Sequence, residues 1–326
     1  MSKPKVFAAH ELFEPARKIL EETCEVEYWT QPDRPSREEF LRRAKDKQGL
    51  VCLLTEKIND ELLQAAPNLR IASNVAVGFD NIDVPACTRH GVVASNTPGV
   101  LDETTADFAW TLLMAVARRL GEAEQLARSG AWKGWNLDQL CGSDVWGKTL
   151  GIVGFGRIGR AVARRASGFQ MKVIYTDAVR VSPDVEKSLN AAYRDLDALL
   201  AESDFVSVHV PLLPETRGLF NASRLRQMKP TAFLINTSRG PVVDEAALVH
   251  ALETRQIAGA ALDVFEKEPL IHPGLKRPDV VLAPHIASAS VETRAKMACM
   301  AAQNVVALFK GRRPPNILNP EVLQDA

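Results

Sequence analysis

Three residues on separate segments in the second half of the chain are of the types that grip a carboxylate and move a proton. They stand in Leu234-Ile-Asn-Thr-Ser-Arg239-Gly240, Leu262-Asp-Val-Phe-Glu-Lys-Glu268-Pro269 and Leu282-Ala-Pro-His285-Ile-Ala-Ser288, each just beyond an apolar run. A guanidinium is a planar fork that holds a carboxylate through two hydrogen bonds. An imidazole gives a proton to a keto oxygen and takes it back in the reverse direction. A carboxylate beside it favours the charged imidazolium and fixes its orientation. Taken singly, such an Arg, Glu or His is commonly a surface or structural residue. Placed together at strand ends of one domain, Arg239, Glu268 and His285 suit hydride transfer to a 2-keto acid.

A hydride needs a carrier, and the sequence offers a place for one. Gly154-Phe155-Gly156-Arg157-Ile158-Gly159 follows the apolar run Thr149-Leu-Gly-Ile-Val and opens a helical pattern, Ile158–Ser167. A bare GxGxxG is a weak signal; a strand before, a helix after and an acid about 20 positions on make it strong. Gly154 permits the tight turn, Gly156 lets backbone approach a diphosphate, and Gly159 lets helix and strand pack closely. The diphosphate then meets free N–H groups at the positive end of the helix. Asp177 closes the next run, Lys172–Asp177. A carboxylate there accepts both ribose hydroxyls of NAD and repels the 2′-phosphate of NADP. Arg180 argues the other way, but Asp177 stands at the strand end itself, so NAD is expected over NADP.

Short apolar runs alternate with amphipathic stretches along the whole chain, which predicts parallel sheets covered by helices. Strands are expected at 5–9, 25–29, 49–55, 69–76 and 92–96, and helices at 14–22, 36–47 and 59–66, with Ser36 and Glu39 at capping-box spacing. A turn-rich loop covers 78–83. A long helix is expected from Asp102 to Gly130, with Phe108, Leu112, Ala115 and Arg119 on one face and Gly121 as an interruption. After a Trp- and Gly-rich loop, six strands follow at 149–154, 172–177, 205–210, 232–237, 259–264 and 280–284. Between and after them lie helices at 158–167, 196–202, 222–228, 244–254 and 291–309. Six strands with helical crossovers make one dinucleotide domain that begins mid-chain. The expected fold is α/β with two doubly wound parallel-sheet domains. A Rossmann NAD domain, 102–288, is inserted in a flavodoxin-like substrate domain, 1–101 and 289–326. The last helix is assigned to the latter.

Composition narrows the class further. The 326 residues carry 40 basic and 40 acidic side chains, so no charge excess points to nucleic acid or an anionic membrane. Cys24, Cys52, Cys87, Cys141 and Cys299 form no CxxC pair, which argues against a metal site or a disulfide framework. Reduced thiols fit a cytoplasmic protein. The N-terminus turns acidic too early for a signal peptide, and no apolar run reaches the roughly 20 residues needed to span a bilayer.

The order of these segments resembles the D-isomer-specific 2-hydroxyacid dehydrogenase family. The resemblance covers nearly the whole chain and includes Asn74-Val-Ala-Val-Gly-Phe-Asp-Asn-Ile-Asp83, Asn96-Thr-Pro-Gly-Val, Thr105-Ala-Asp107, His209-Val-Pro-Leu212 and Asn236-Thr-Ser-Arg-Gly-Pro-Val-Val-Asp244. It implies a split substrate domain, a central NAD domain, a cleft between them and a homodimer. It assigns catalysis to Arg239, Glu268 and His285, and substrate-binding backbone amides to Val77 and Gly78. Its cofactor contacts fall on Thr105, Arg157, Ile158, Asp177, His209, Pro211, Thr237 and Asp263, beside the three glycines. Ala131-Trp-Lys-Gly-Trp135 and Leu140-Cys141-Gly142 resemble the glyoxylate/hydroxypyruvate reductase branch. There the tryptophan matching Trp135 reaches into the neighbouring subunit's active site, and Ser288 falls near the substrate. NADP-using members of that branch often lack the acid that stands here as Asp177.

The resemblance implies reduction of a small 2-keto acid, glyoxylate or hydroxypyruvate first, with 2-ketogluconate as an alternative substrate. Formate dehydrogenases carry Gln where Glu268 stands, and phosphite dehydrogenases carry Lys where Val77 stands. A more remote alternative is an NAD-sensing corepressor that keeps the triad without appreciable turnover.

Overall fold

The computed structural model describes residues 2–323. In chain order the first elements are β1 (Lys5–Ala8), α1 (Glu14–Thr23), β2 (Glu25–Tyr28), α2 (Arg37–Ala44), β3 (Gly49–Cys52), α3 (Asp60–Ala65), β4 (Ile71–Asn74), α4 (Val84–Arg89) and β5 (Val93–Ser95). Short polar residues start the helices. Ser36 accepts the Glu39 N–H at 3.2 Å, Asn59 the Leu62 N–H at 3.3 Å and Asp83 the Ala86 N–H at 2.9 Å. The capping box at Ser36 is only half formed, because the Glu39 carboxylate turns to Arg42 and Arg43. The sequence reading has no helix at α4. Its start is nonetheless encoded by a cap at Asp83 and a proline in the first turn.

The second series is α5 (Asp102–Ala117), α6 (Leu120–Arg128), β6 (Thr149–Val153), α7 (Arg157–Ala166), β7 (Lys172–Thr176), α8 (Pro183–Leu189), β8 (Ala191–Tyr193), α9 (Leu196–Glu202), β9 (Phe205–Val208), α10 (Ala222–Leu225), β10 (Phe233–Asn236), α11 (Glu245–Glu253), β11 (Gly259–Leu262) and β12 (Val280–Leu282), then α12 (Val291–Phe309). All strands pair in parallel, in a five-stranded sheet ordered β2-β1-β3-β4-β5 and a seven-stranded sheet ordered β12-β11-β10-β9-β6-β7-β8. The first order is that of flavodoxin-like sheets. The second has seven strands, not six. The added strand, β8, is three residues long at the sheet edge and too short to register as alternation.

The chain divides into two compact units. One runs to Leu101 and resumes at Ala289; the other is Asp102–Ser288. In the smaller unit, one sheet face buries Phe7, Phe40, Leu50, Leu62 and Ala86. The other face lies under α1 and α12, where Ala16 and Leu20 meet Ala298, Ala301 and Val305. In the larger unit α5 is buried on most sides, including Ala106, Ala109, Trp110, Leu112, Leu113 and Val116. Of the face expected through Phe108, Leu112, Ala115 and Arg119, Leu112 and Ala115 are buried while Phe108 and Arg119 are half-buried. Among the described residues no helix is long and apolar enough to cross a membrane.

The long helix expected from Asp102 to Gly130 is two helices, and the break is not at Gly121. Arg119 takes a left-handed φ of 52°, and the returning chain donates the Ser143 N–H to the Ala117 carbonyl at 2.8 Å. Gly142 makes that approach possible, since a Cβ there would overlap the same carbonyl. Gly142→Ala should therefore lower stability by about 1–3 kcal/mol, the scale of overpacking against backbone that cannot give way. Urea unfolding would measure it, with Gly121→Ala, which meets open space, as the control.

Candidate active site

The glycine turn sits where β6 gives way to α7, and β6 lies between β7 and β9 in the sheet. There the chain winds outward in both directions, the switch point at which such sheets bind ligands. Its glycines answer to different constraints. Gly154 has a φ of +94° and lies against the His209 carbonyl; a Cβ at Gly159 would overlap the Gly154 carbonyl. A Cβ at Gly156 would meet no atom within 4 Å, and Gly156 has an ordinary φ of −68°. Nothing among the described residues crowds position 156, and that open space fits the approach of a ligand. Gly156 also opens α7 without a side-chain cap, so the first N–H groups of this ten-residue helix keep their donors for an anion.

Asp177 follows β7 directly. Its Oδ2 accepts the Phe155 N–H at 2.5 Å, tying the acid to the turn it serves. Phe155 in turn stacks on Tyr175, with ring centroids 4.0 Å apart. His209 follows β9. Its Nε2 shares a 2.8 Å hydrogen bond with Ser207, and desolvation of this half-buried residue pushes its pKa down to about 3, so the imidazole is neutral. Thr237, beyond β10, is buried, and its hydroxyl has no hydrogen-bond partner among the described residues. An orphaned hydroxyl at this strand end fits a site whose polar partner is a ligand. Thr105 is buried in the first turn of α5 and Pro211 is exposed. These residues fit a dinucleotide lying across the carboxyl ends of the strands.

Arg239, Glu268 and His285 follow β10, β11 and β12, three adjacent strands. Glu268 Oε2 meets His285 Nδ1 at 2.8 Å, while Oε1 accepts the Phe265 N–H at 3.0 Å. Burial raises the Glu268 pKa, but the His285 hydrogen bond and charge, the Phe265 N–H and the Arg239 charge outweigh it and hold the carboxyl below its usual value. The fixed carboxylate leaves His285 Nε2 as the ring atom for proton transfer. Arg239 is half-buried, with Nη1 donating to the Ser238 carbonyl at 2.8 Å.

His285 carries a left-handed φ of 55°, a conformation that costs a non-glycine residue on the order of 1 kcal/mol or more. Asp263 holds it there. The Asp263 carbonyl accepts the His285 N–H at 2.8 Å, and its two carboxylate oxygens accept the Ile286 and Ala287 N–H groups at 2.7 and 2.8 Å. Asp263 is fully buried, and burial raises its pKa despite those donors.

Residues that sequence reasoning did not single out hold the neighbouring loops. Asn236, fully buried, donates to the Arg239 carbonyl at 3.0 Å and accepts the Ser238 N–H and hydroxyl at 3.0 and 2.8 Å. Glu245 and Glu266 each accept the other's N–H, at 2.8 and 2.9 Å, fastening the Glu268 loop to the start of α11. Gly240 lets these loops touch, since a Cβ would overlap the Phe265 carbonyl. An Asn at a strand end with Ser two positions on is a readable turn signal; the crossed glutamates are not local in sequence and leave none.

The remaining site residues lie elsewhere. Val77 and Gly78 belong to the smaller unit, in the loop after β4. Ser288 is half-buried at the end of the larger unit, and Trp135 is 83% exposed. Among the described residues no group of three or more His, Cys, Asp or Glu is placed to hold a metal ion.

This fold and these strand-end groups define a dinucleotide-dependent oxidoreductase. Residues 110–287 match the model of the D-isomer specific 2-hydroxyacid dehydrogenase NAD binding domain. A glyoxylate reductase of Korarchaeum cryptofilum is 52% identical over 99% of this chain and 98% of its own. A crystal structure of a glyoxylate reductase from Paecilomyes thermophila superposes with a TM-score of 0.87 at 31% identity, over 98% of this chain and 100% of the other. An NADPH-dependent glyoxylate/hydroxypyruvate reductase from Sinorhizobium meliloti, in complex with NADP and malonate, gives 0.85 at 34% identity over 97% of each chain. The chain belongs to the D-isomer-specific 2-hydroxyacid dehydrogenase family.

The neutral His209 has a consequence for stability. Its folded-state pKa lies below the ordinary 6.5, so as pH falls through 6.5 the unfolded chain takes up a proton that the native state refuses until about 3. Stability from this group is therefore complete above pH 6.5 and lost progressively below it. Across pH 7 to 4, His209→Gln should show a shallower decline in unfolding free energy than the parent protein. Parallel slopes in urea titrations would contradict this.

Proposed function

We propose that the protein reduces glyoxylate, with hydroxypyruvate as a second substrate, to the corresponding 2-hydroxy acid, using NADH. The observation that carries this reading is the placement of Arg239, Glu268 and His285 beyond three adjacent strands of the sheet that bears the glycine turn. The names of the relatives, about half identical over their full length, support the substrate. The dinucleotide, when bound, supplies the hydride. Gly154, Gly156, Gly159, Arg157 and Ile158 receive its diphosphate, and Thr105, Asp177, His209, Pro211, Thr237 and Asp263 surround the rest. Arg239 grips the substrate carboxylate and orients the keto carbon. Val77 and Gly78 offer backbone N–H groups for substrate, and Ser288 is a further substrate-binding residue. His285 protonates the keto oxygen from Nε2, and Glu268 stabilises the imidazolium before transfer and fixes the ring.

Asp177 supports NAD, and Arg180 no longer argues against it. Glu186 takes Arg180 in a bidentate pair at 2.8 and 2.9 Å and also accepts the Tyr175 hydroxyl at 2.7 Å. The Arg180 pair and the Tyr175 bond draw the Glu186 carboxyl down to about 2, so it stays ionised throughout the working range. A 2′-phosphate would have to compete for an arginine already matched. The five unpaired cysteines support a cytoplasmic setting, and exposed Leu120, Trp132, Trp135, Leu137 and Trp146 support a homodimer in which Trp135 acts on the partner's site.

A screen of NADH and NADPH oxidation against glyoxylate, hydroxypyruvate, 2-ketogluconate, pyruvate and phenylpyruvate tests the reading directly. Glyoxylate should give the highest kcat/KM; no turnover of any acid would refute it. His285→Gln should slow turnover by about 10²-fold or more, the scale of general acid catalysis, and Arg239→Ala should both raise KM and lower kcat. NADH should exceed NADPH by about tenfold or more in kcat/KM. Glu186→Ala, which frees Arg180, should narrow that ratio chiefly through the KM for NADPH; an unchanged ratio would remove Glu186 from cofactor choice.

A further inference from the structure

The loop after β4 has a property of its own. Four consecutive carbonyls, those of residues 76 to 79, each accept a hydrogen bond from within the smaller unit. Ala76 accepts the Thr97 N–H at 2.9 Å, Val77 the Asn96 Nδ2 at 2.8 Å, Gly78 the Asn74 Nδ2 at 2.9 Å and Phe79 the Ile82 N–H at 2.9 Å. These peptides are trans, and in a planar trans peptide the C=O and the following N–H point in opposite directions. Fixing the carbonyls of 76, 77 and 78 therefore fixes the N–H groups of Val77, Gly78 and Phe79, each directed away from the partner of the carbonyl before it. Among the described residues no acceptor meets those three donors.

The two asparagines are themselves held. Asn74 is fully buried at the end of β4, and its Nδ2 also donates to Asn81 Oδ1 at 3.1 Å. Asn81 Nδ2 in turn ties the Leu53 and Glu56 carbonyls at 3.1 and 2.9 Å. Asn96 is 7% exposed. Its N–H reaches the Asn316 carbonyl at 3.3 Å, and its carbonyl accepts Asn304 Nδ2 of α12 at 3.2 Å. Asn304 is fully buried, and its Oδ1 accepts the Asn316 N–H at 3.1 Å. A solvated loop needs no such support, since water satisfies its carbonyls.

We propose that Asn74 and Asn96 are positioning residues for substrate. By binding the Val77 and Gly78 carbonyls they fix the N–H groups of Gly78 and Phe79; with the Val77 N–H, fixed through the Ala76 carbonyl by the Thr97 N–H, these make a pre-set row of three consecutive donors for the substrate carboxylate. This rests on the reading of Val77 and Gly78 as substrate-binding amides and adds Phe79 to them. The row is neutral and pre-formed, so the loop loses little freedom when an anion binds.

The test uses the full-length protein with NADH bound. Asn96→Ala should raise the KM for glyoxylate and the inhibition constant of oxalate by about tenfold, leaving the KM for NADH within about twofold. Asn96→Asp has the same shape without the donor and should behave like Asn96→Ala. Wild-type constants in Asn96→Asp, or equal rises in the constants for glyoxylate and NADH, would overturn the proposal. Hydrogen exchange gives a second readout independent of turnover. The peptide spanning residues 75–82 should exchange faster in Asn96→Ala than in the parent. Unchanged exchange would overturn the positioning role even where keto-acid reduction stands. Faster exchange in a protein that reduces no keto acid would keep the positioning role and reject the substrate reading.

Discussion

Asp263 has no exposure to water, and the backbone around His285 is fastened to it. Three N–H groups in a row, those of His285, Ile286 and Ala287, end on this one residue. Without them the backbone at His285 would relax from a left-handed conformation that only glycine adopts freely. The imidazole would then leave Glu268, whose other oxygen is already bound to the Phe265 N–H. A strained residue persists only when its surroundings over-determine it, and Asp263 supplies that over-determination from the end of the neighbouring strand. It is also among the cofactor contacts that the family resemblance assigns. With both oxygens turned onto backbone, positioning of His285 is the function the geometry supports first.

Each unit uses the same device by itself. In the larger unit, Asn236 shapes the turn to Arg239, and the crossed glutamates 245 and 266 hold the Glu268 loop. In the smaller unit, Asn74 and Asn96 hold the loop of Val77 and Gly78. In each case polar side chains satisfy backbone groups of a loop just beyond a strand. A half-satisfied buried network would cost more than an apolar one, so these positions tolerate little substitution.

The sequence made the site's chemistry legible and left its support hidden. The glycine turn, Asp177 and the three strand-end residues could be read because each depends on residue type at fixed spacing from a strand. The parallel architecture followed from alternating apolar and amphipathic runs, and α9 and α12 fall at 196–202 and 291–309 as that pattern predicts. Other features depend on chain that is remote in sequence. The break at Arg119 is made by Gly142 and Ser143 crossing the helix end, and no local pattern announces it. The α8–β8 segment is short and polar, so periodicity is silent. Asn96 reads as an ordinary loop residue until Asn304, from the last helix, is seen to anchor it.

Carboxyl groups gather on the loops beyond β10 and β11, and the surroundings of Asp263, Glu245 and Glu268 set these three apart. Burial raises Asp263 and Glu245, whose oxygens are turned onto backbone N–H groups. Glu268 alone is lowered, because its burial is outweighed by His285, the Phe265 N–H and Arg239. The ionised carboxylate thus stands where it can stabilise an imidazolium. Environments that push the pKa values of neighbouring acids apart are how a site assigns one of them to the chemistry. Here the assignment is made by which acid faces backbone and which faces the histidine.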